Sequence, residues 1–313
     1  MRALFLAALF TFSLFADARI FVFHRFNDTR HASASTSTDT LRAEFEYLRT
    51  RGYEVVPLSR LADALARGKP VGDNWVVLTV DDGYRSFYDN ALPLFKEYGY
   101  PFTLFVYVEA TEKGYRDFMS WEQIREAAKY GEIGLHGYAH LHETRAGTAA
   151  LKADTRRGIA LFEKAMGFRP KYYAYPYGEY DAEVKKTVAS FGFELILNQN
   201  SGAVTEKSDP RDLDRIALTG ENLLAEKLKI RRLDAEWIAP KRWPERGVLK
   251  EIHAKIAPKY KTAELYVTGH GWRRVSAENG DIRLETNLPL KRERIRLFLK
   301  VGHRQNGIIL VKE

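Results

Sequence analysis

The stretch that most constrains this chain is residues 75–83, WVVLTVDDG, in which a strand-type apolar run leads directly into two carboxylates and a glycine. A run rich in β-branched residues, without polar alternation, suits a strand that is buried on both faces of a parallel sheet. Two carboxylates at the end of such a strand are costly unless a cation or a reaction employs them. The alternative is an exposed Asp-Asp-Gly turn, because Asp and Gly are ordinary turn residues. The rest of the chain has to decide between the two.

The amino terminus has the pattern of an export signal. Met1 and Arg2 precede the apolar run 4–15, and Ala16-Asp17-Ala18 supplies an A-x-A cleavage site. We therefore expect a signal peptide over residues 1–18 and a mature chain in the periplasm or outside the cell, associated with the envelope. The run is short for a transmembrane helix, so an uncleaved membrane anchor is the weaker alternative.

Composition excludes several classes of site. The 313 residues include no cysteine, which rules out thiolate catalysis, cysteine zinc sites and disulfides. The formal net charge of +8 and the isoelectric point near 9.4 favour contact with anionic surfaces such as cell-envelope polymers, although a merely soluble basic surface fits equally well. Export argues against a nucleic-acid partner.

Strand-type and helical segments alternate between residues 20 and 218, as expected for βα units and a parallel sheet. A long helix fits residues 148–166, and Ser120 with Gln123 predicts a capping box. Eight strands are enough to close a barrel. They are predicted at 20–23, 53–56, 75–80, 102–106, 132–135, 172–175, 194–197 and 215–218.

The residues that could carry chemistry follow directly on the carboxyl ends of these strands. They are His24, Asp81, Asp82, His136 and Tyr177. Because α/β barrels place their active sites on that face, these side chains are expected to meet in one pocket.

His136 and His140 have the H-x-x-x-H spacing, which brings two imidazoles to one side of a helical turn or compact loop. With Asp82 they supply two nitrogens and one oxygen, a set typical of catalytic zinc sites that leave a position open for water. Taken alone, the spacing more often reflects local hydrogen bonds. The strand-end position beside Asp82 favours the metal site, and His142 is expected to lie outside the ligand set.

The pattern changes after residue 220. Seven short strand-type segments, separated by turn signals such as residues 278–281 (ENGD) and 305–307 (QNG), predict a small all-β domain over residues 221–313. We expect it to be sandwich-like.

Three segments resemble, in order and spacing, the first three motifs of the NodB-type polysaccharide deacetylases, carbohydrate esterase family 4. They are residues 79–83 (TVDDG), 136–140 (HGYAH) and 175–178 (YPYG). Residues 23–25, 78–84 and 213–216 most resemble the branch that removes acetyl groups from poly-β-1,6-N-acetylglucosamine. The resemblance covers about residues 20–220.

The resemblance implies an α/β fold, a distorted (β/α) barrel of NodB type over residues 19–220. It also implies Zn²⁺, or another divalent metal such as Co²⁺ or Ni²⁺, on Asp82, His136 and His140. Asp81 would be the general base that takes a proton from the attacking water. The N–H of Tyr177 would help to stabilise the oxyanion.

The chain departs from the family pattern at two places. Many members carry an arginine ahead of the P-Y-G motif that braces the base, whereas Ala174 and Tyr175 stand here. Arg215 could substitute from a later strand, and a surface salt bridge is an equal alternative. The usual late Leu-x-Leu-His acid motif is also missing before residue 220, so His24 becomes the candidate acid for the amine leaving group.

Aromatic residues near the motifs could stack on sugar rings. Tyr84 and Tyr138 are the candidates we retain, and Arg215 is counted with them as a possible substrate contact. Three tryptophans in the last third, Trp237, Trp243 and Trp272, could bind carbohydrate, but filling the core of a small β domain is the favoured interpretation.

The sequence thus predicts a metal-dependent hydrolase acting on C–N bonds, an N-deacetylase of a cell-envelope or extracellular N-acetylglucosamine polysaccharide. One alternative is the same chemistry on peptidoglycan, chitin-like oligomers or O-acetyl esters. Another is an inactive glycan-binding protein of the same fold, which the intact set of Asp81, Asp82, His136 and His140 argues against.

Overall fold

The computed structural model describes residues 16–220 and 223–312. Most of the predicted signal peptide therefore lies outside the described residues. Among the described helices, none has both the length and the apolar character needed to cross a bilayer.

The first two thirds of the chain form a curled, parallel sheet of eight strands in the order β10-β1-β5-β6-β7-β8-β9, with β4 beside the start of β5. A single bridge, Leu197 to Leu213, connects β9 to the segment before β10, so irregular backbone closes the curl. Strands β2 and β3 pair separately. The strands are β1 (Arg19–Phe23), β2 (Arg25–Phe26), β3 (Ser35–Thr36), β4 (Glu54–Val55), β5 (Trp75–Val80), β6 (Thr103–Val106), β7 (Glu132–Leu135), β8 (Tyr172–Ala174), β9 (Leu195–Leu197) and β10 (Ile216–Ala217). The predicted distorted barrel is confirmed.

The helices that cover this sheet begin at the caps that the sequence indicates. Ser37 and Asp181 accept hydrogen bonds from the first turns of α1 and α8, and the capping box of Ser120 and Gln123 is present in α5. A π-helical turn, Phe87–Ala91, precedes α3. The helices are α1 (Thr38–Thr50), α2 (Leu58–Ala66), α3 (Leu92–Tyr98), α4 (Val108–Glu112), α5 (Trp121–Ala127), α6 (Glu143–Ala146), α7 (Thr148–Met166), α8 (Ala182–Ala189) and α9 (Leu224–Lys227).

Both faces of the central strands are buried, which explains their continuous apolar runs. Phe21 and Leu78 pack into one hydrophobic cluster, whereas their neighbours Ile20 and Val77 pack into another. Polar side chains can therefore approach solvent only at the ends of these strands.

The last third of the described chain is almost entirely β structure in two sheets that share one hydrophobic core. A five-stranded sheet has the order β11-β18-β17-β14-β15, and a three-stranded sheet has the order β12-β13-β16. Leu265 and Leu297 of the first sheet pack with Ile252 and Ile282 of the second. The strands are β11 (Arg231–Arg232), β12 (Ala235–Ala239), β13 (Val248–Ile256), β14 (Thr262–Val267), β15 (Gly271–Ser276), β16 (Asp281–Pro289), β17 (Arg294–Val301) and β18 (Arg304–Val311). The domain boundary near residue 220 stays a prediction.

The β-rich part contacts the barrel at more than one edge. Arg19 Nε donates to Ile230 O at 3.2 Å, and Arg145 Nε donates to Lys312 O at 2.7 Å. Arg294, the first residue of β17, donates to the carbonyl oxygen of Tyr177. The β-rich part therefore lies against the loop that carries one of the predicted active-site residues.

Residues 16–18, which precede the predicted cleavage point, are integrated into the fold. Ala18 is buried and exchanges backbone hydrogen bonds of 2.8 and 2.9 Å with Val204. The carboxylate of Asp17 accepts the N–H of Arg232 at 2.8 Å. These contacts would be lost in a chain that started at Arg19.

Candidate metal and active site

Three predicted metal ligands lie together at the carboxyl end of the sheet. Asp82 follows β5 at a φ of 73°, His136 follows β7, and His140 lies in the loop after it at a φ of 51°. Asp82 Oδ1 is 3.3 Å from Nε2 of His136 and 3.1 Å from Nε2 of His140. One ligand atom from each residue lies within 4.8 Å of the other two, a spacing that could hold a metal ion.

The surroundings of this trio fit a divalent cation. His136 Nδ1 is 2.8 Å from the carbonyl oxygen of Ala174 and must donate to it, which leaves Nε2 as an acceptor directed at Asp82. Asp82 Oδ1 is buried and accepts no well-aligned hydrogen bond. Burial alone would raise the pKa of Asp82, but the two imidazoles hold it well below its ordinary value. Two imidazole nitrogens and an ionised carboxylate are suitable ligands for zinc.

Asp81, the predicted base, is fully buried beside this trio and is held by Arg215. The two guanidinium Nη atoms donate to the two carboxylate oxygens at 2.6 and 2.8 Å. Arg215 Nε donates to Asn198 O at 2.7 Å, and Gln199 Nε2 donates to Asp81 at 3.4 Å. Burial would raise the pKa of Asp81, but Arg215 outweighs it and lowers that pKa. Asp81 is therefore ionised and oriented.

Arg215 is completely buried, so its predicted role as a substrate contact is wrong. It arrives just before β10, which pairs with β1, and β1 pairs with β5, so the sheet brings it beside the carboxylate at the end of β5. It makes neither a surface salt bridge nor a sugar contact. It occupies instead the bracing role that the sequence left open.

Tyr177 lies in a strained turn beside the metal ligands. Its φ is 59° and the following Gly178 has a φ of 68°. A Cβ on Gly178 would lie 2.4 Å from the Cβ of Gln199, so glycine is required there. The Tyr177 ring stacks on His142 with centroids 4.1 Å apart and meets His140 edge-on at 4.4 Å. This turn therefore places Tyr177 next to the trio.

His24 follows β1, the neighbour of β5 in the sheet. Its Nδ1 is buried and has no hydrogen-bond partner. Burial lowers the pKa of His24, although Asp82 and Asp81 act to raise it. The imidazole is therefore neutral near pH 7 in this arrangement, with a nitrogen free to accept a proton.

The structure separates the two aromatic candidates. Tyr138 is only 5% exposed and the guanidinium of Arg157 covers its ring at 4.0 Å, so the predicted sugar contact at Tyr138 is wrong. Tyr84 is partly exposed, and the Arg25 guanidinium lies 3.6 Å from the centroid of its ring. Only the opposite face of Tyr84 can meet a sugar.

Sequence reasoning missed two residues beside the site, Gln199 and Arg294. Gln199 contacts Asp81, and Arg294 pairs with Glu179 at 3.1 Å as well as with the Tyr177 carbonyl. Neither follows a barrel strand within a recognisable motif, so no signal in the sequence could have identified them.

Comparisons with known proteins agree with this geometry. The sequence profile of the polysaccharide deacetylases matches residues 68–196. The poly-β-1,6-N-acetyl-D-glucosamine N-deacetylase of Escherichia coli is 25% identical over 213 residues, 54% of this chain and 31% of that enzyme. The chain thus spans about a third of that relative.

Two solved structures share the fold of the barrel. The Streptococcus pyogenes deacetylase PplD matches 67% of this chain and 98% of its own, with a TM-score of 0.63 and 21% identity. IcaB from Ammonifex degensii matches 68% and 97%, with a TM-score of 0.60 and 24% identity. The profile match, the fold and the order of the motifs together show that the chain contains a polysaccharide deacetylase domain of the NodB type.

Proposed function

We propose that this chain is an exported, divalent-metal-dependent N-deacetylase that acts on an N-acetylglucosamine polysaccharide of the cell envelope or extracellular matrix. The observation that carries the proposal is the cluster of Asp82, His136 and His140 beside an ionised Asp81. The relatedness to poly-β-1,6-N-acetyl-D-glucosamine N-deacetylases supports the choice of polymer.

The protein groups divide the work of amide hydrolysis between them. A divalent metal on Asp82, His136 and His140 would polarise the acetamide carbonyl and lower the pKa of a water molecule. Asp81 accepts the proton of the attacking water, and the two hydrogen bonds from Arg215 keep its carboxylate in place for this step. The N–H of Tyr177 donates to the acetamide oxygen as negative charge develops there.

His24 is the proposed acid for the amine leaving group. Because its imidazole starts neutral, it must first accept a proton within the site before it can donate one to the departing nitrogen. The unpartnered Nδ1 is the atom available for that transfer.

The deciding experiment is acetate release from β-1,6-linked N-acetylglucosamine oligomers, measured beside chitin oligomers and peptidoglycan. We expect release that stops after chelation and returns with added Zn²⁺. Asp81→Asn serves as the matched inactive control. Release that is unaffected by chelation would contradict the metal-dependent mechanism. Absence of release from every polymer, with Zn²⁺ bound, would favour a glycan-binding protein that has kept the fold.

A further inference from the structure

The outer face of the five-stranded sheet carries a row of aromatic rings across three neighbouring strands. Tyr266 of β14 lies opposite Trp272 of β15 and Phe298 of β17 in the register. The Tyr266 ring centroid is 5.3 Å from that of Trp272 and 5.8 Å from that of Phe298. Alternate residues of β17, among them Leu297 and Leu299, point into the core.

The third member of this row corrects an expectation from the sequence. Trp272 is 50% exposed and fills no core. Trp237 and Trp243 are partly buried against the core of the β-rich part, as expected, and Trp237 Nε1 donates to Asn306 at 2.8 Å. An exposed tryptophan within an ordered aromatic row has the form of a stacking surface rather than a packing residue.

Arginines continue this row along β17. Arg292, Arg294 and Arg296 line a cavity of about 380 Å³ together with the three aromatic residues and Thr268. Because strand residues rise about 3.4 Å each, Arg294 and Phe298 are separated by roughly 13 Å along one face. We call the surface formed by these residues the arginine–aromatic face.

The arginine charge on this face is not fully neutralised. Glu179 pairs with Arg294 at 3.1 Å, and Glu264 approaches Lys300 at 4.0 Å. No ion pair with a described carboxylate is found at Arg296, and its Nε is buried without a hydrogen-bond partner. Burial and the neighbouring Arg294 lower the pKa of Arg296 to about 10, so it remains charged at neutral pH.

The face begins at the active-site turn. Arg294 Nη2 donates to the carbonyl oxygen of Tyr177, the residue whose N–H points to the reaction in our proposal. A polymer that leaves the site past Tyr177 would therefore meet Arg294 first, then Arg296, then the aromatic row. Guanidinium groups bind carboxylates and phosphates strongly, but they repel the ammonium groups that deacetylation produces.

We propose that the arginine–aromatic face extends the substrate cleft and binds a glycan strand that carries anionic groups beside its N-acetylated sugars. The aromatic row stacks on sugar rings, and Arg294 and Arg296 bind carboxylate or phosphate substituents. This inference rests on the proposed deacetylase function and specifies its substrate as an acidic glycan.

Direct binding tests the inference without catalysis, in the full-length Asp81→Asn protein. The probes are a peptide-free glycan of alternating N-acetylglucosamine and N-acetylmuramic acid, which bears lactyl carboxylates, and a neutral N-acetylglucosamine oligomer of equal length. We expect Arg296→Gln to raise the Kd of the carboxylated probe at least tenfold and to leave the neutral probe unchanged. Trp272→Ala should raise the Kd of both. Arg273→Gln, the same charge change on the opposite face of β15, should change neither.

A second arm identifies the anion. Inorganic phosphate that displaces the carboxylated probe more effectively than acetate would assign the arginines to phosphate-bearing glycans, and the reverse would assign them to carboxylates. Equal Kd values for the two probes in the parent protein, or an unchanged Kd in both variants, would overturn the inference.

Turnover by otherwise unmodified enzyme separates this inference from the proposed function. Arg296→Gln and Trp272→Ala should raise KM for long acidic oligomers and leave kcat and the kinetics on disaccharides unchanged. Binding that responds as predicted without any acetate release would retain the face and reject the deacetylase. Acetate release with binding that ignores both substitutions would do the opposite.

Discussion

Arg215 donates two hydrogen bonds, of 2.6 and 2.8 Å, to the carboxylate of Asp81, although 134 residues separate the two. Both side chains are completely buried. The pair fills the place of the arginine that many related enzymes carry ahead of the P-Y-G motif. It keeps a carboxylate ionised in an apolar interior, where it would otherwise take up a proton.

Removing Arg215 should damage both activity and stability. In Arg215→Gln the pKa of Asp81 rises, because burial is no longer opposed by the guanidinium, so the acidic limb of the pH–rate profile should move to higher pH. We expect kcat to fall about 100-fold and the free energy of unfolding to fall by about 3–5 kcal/mol. Stopped acetate assays across pH and denaturant titrations measure the two effects. Asp81→Asn with Arg215→Gln should recover part of the lost stability, and an unmoved acidic limb would contradict the bracing role.

The metal ligands can be tested by thermal denaturation without any substrate. Zn²⁺ should raise the Tm of the parent protein, because a ligand that binds only the folded state stabilises it. His136→Gln, His140→Gln and Asp82→Asn should each abolish that shift and weaken Zn²⁺ binding by more than the roughly 10- to 100-fold that the loss of an outer-shell partner costs. His142→Gln is the matched control, since His142 stacks on Tyr177 and bonds to Glu179. Loss of the shift in that control would enlarge the ligand set.

His24 should matter for turnover and not for metal binding. His24→Ala is expected to lower kcat about 100-fold, as for loss of a general acid, while calorimetry shows unchanged Zn²⁺ affinity. A substrate with a better leaving group than a sugar amine should recover much of the rate in the variant, because it needs less protonation. Unchanged turnover of the natural polymer would remove His24 from the mechanism.

Glu44 should make the protein less stable as pH rises. It is buried on α1, and burial raises its pKa to about 8 from an ordinary 4.5. Its contribution to stability is therefore fully present below pH 4.5 and is lost as pH rises towards 8, by at most about 1.4 kcal/mol per pH unit. Glu44→Gln should gain stability relative to the parent at pH 8 compared with pH 5 in denaturant titrations at both values. A pH-independent difference would show that Glu44 is ionised in the fold.

The start of the mature chain affects stability through residues 17 and 18. A chain that starts at Asp17 keeps the backbone pair with Val204 and the bond from Arg232, whereas one that starts at Arg19 loses both. We expect the shorter chain to have a Tm lower by several degrees. The mass of the exported protein shows which start occurs, and equal Tm values would show that these contacts add no stability.

The barrel was predictable because each of its strands is an apolar run bounded by glycine, proline or a polar residue, and those signals are local. The position of Asp82, His136 and His140 also followed from sequence, since the carboxyl ends of parallel strands meet at one edge. The capping box of Ser120 and Gln123 was predictable for the same reason, because a cap involves only four consecutive residues.

The roles of Arg215 and Tyr138 were not predictable, because they depend on which way a side chain points once the sheet has curled. Arg215 reaches Asp81 only through the pairing of β10 with β1 and of β1 with β5. Tyr138 follows a predicted ligand in the chain, yet packing against α7 buries its ring beneath Arg157. A motif specifies residue types and spacing, whereas burial is decided by the elements that pack on them.

The sequence by itself determined the strands, the caps and the order of the acidic and histidine motifs, because each depends on residues close together in the chain. Only the tertiary structure decided which distant groups complete the site. It joined Arg215 to Asp81 and brought Arg294 to the carbonyl of Tyr177, 117 residues away. Such contacts between distant segments follow from sheet order and domain packing, and no local pattern of residues encodes them.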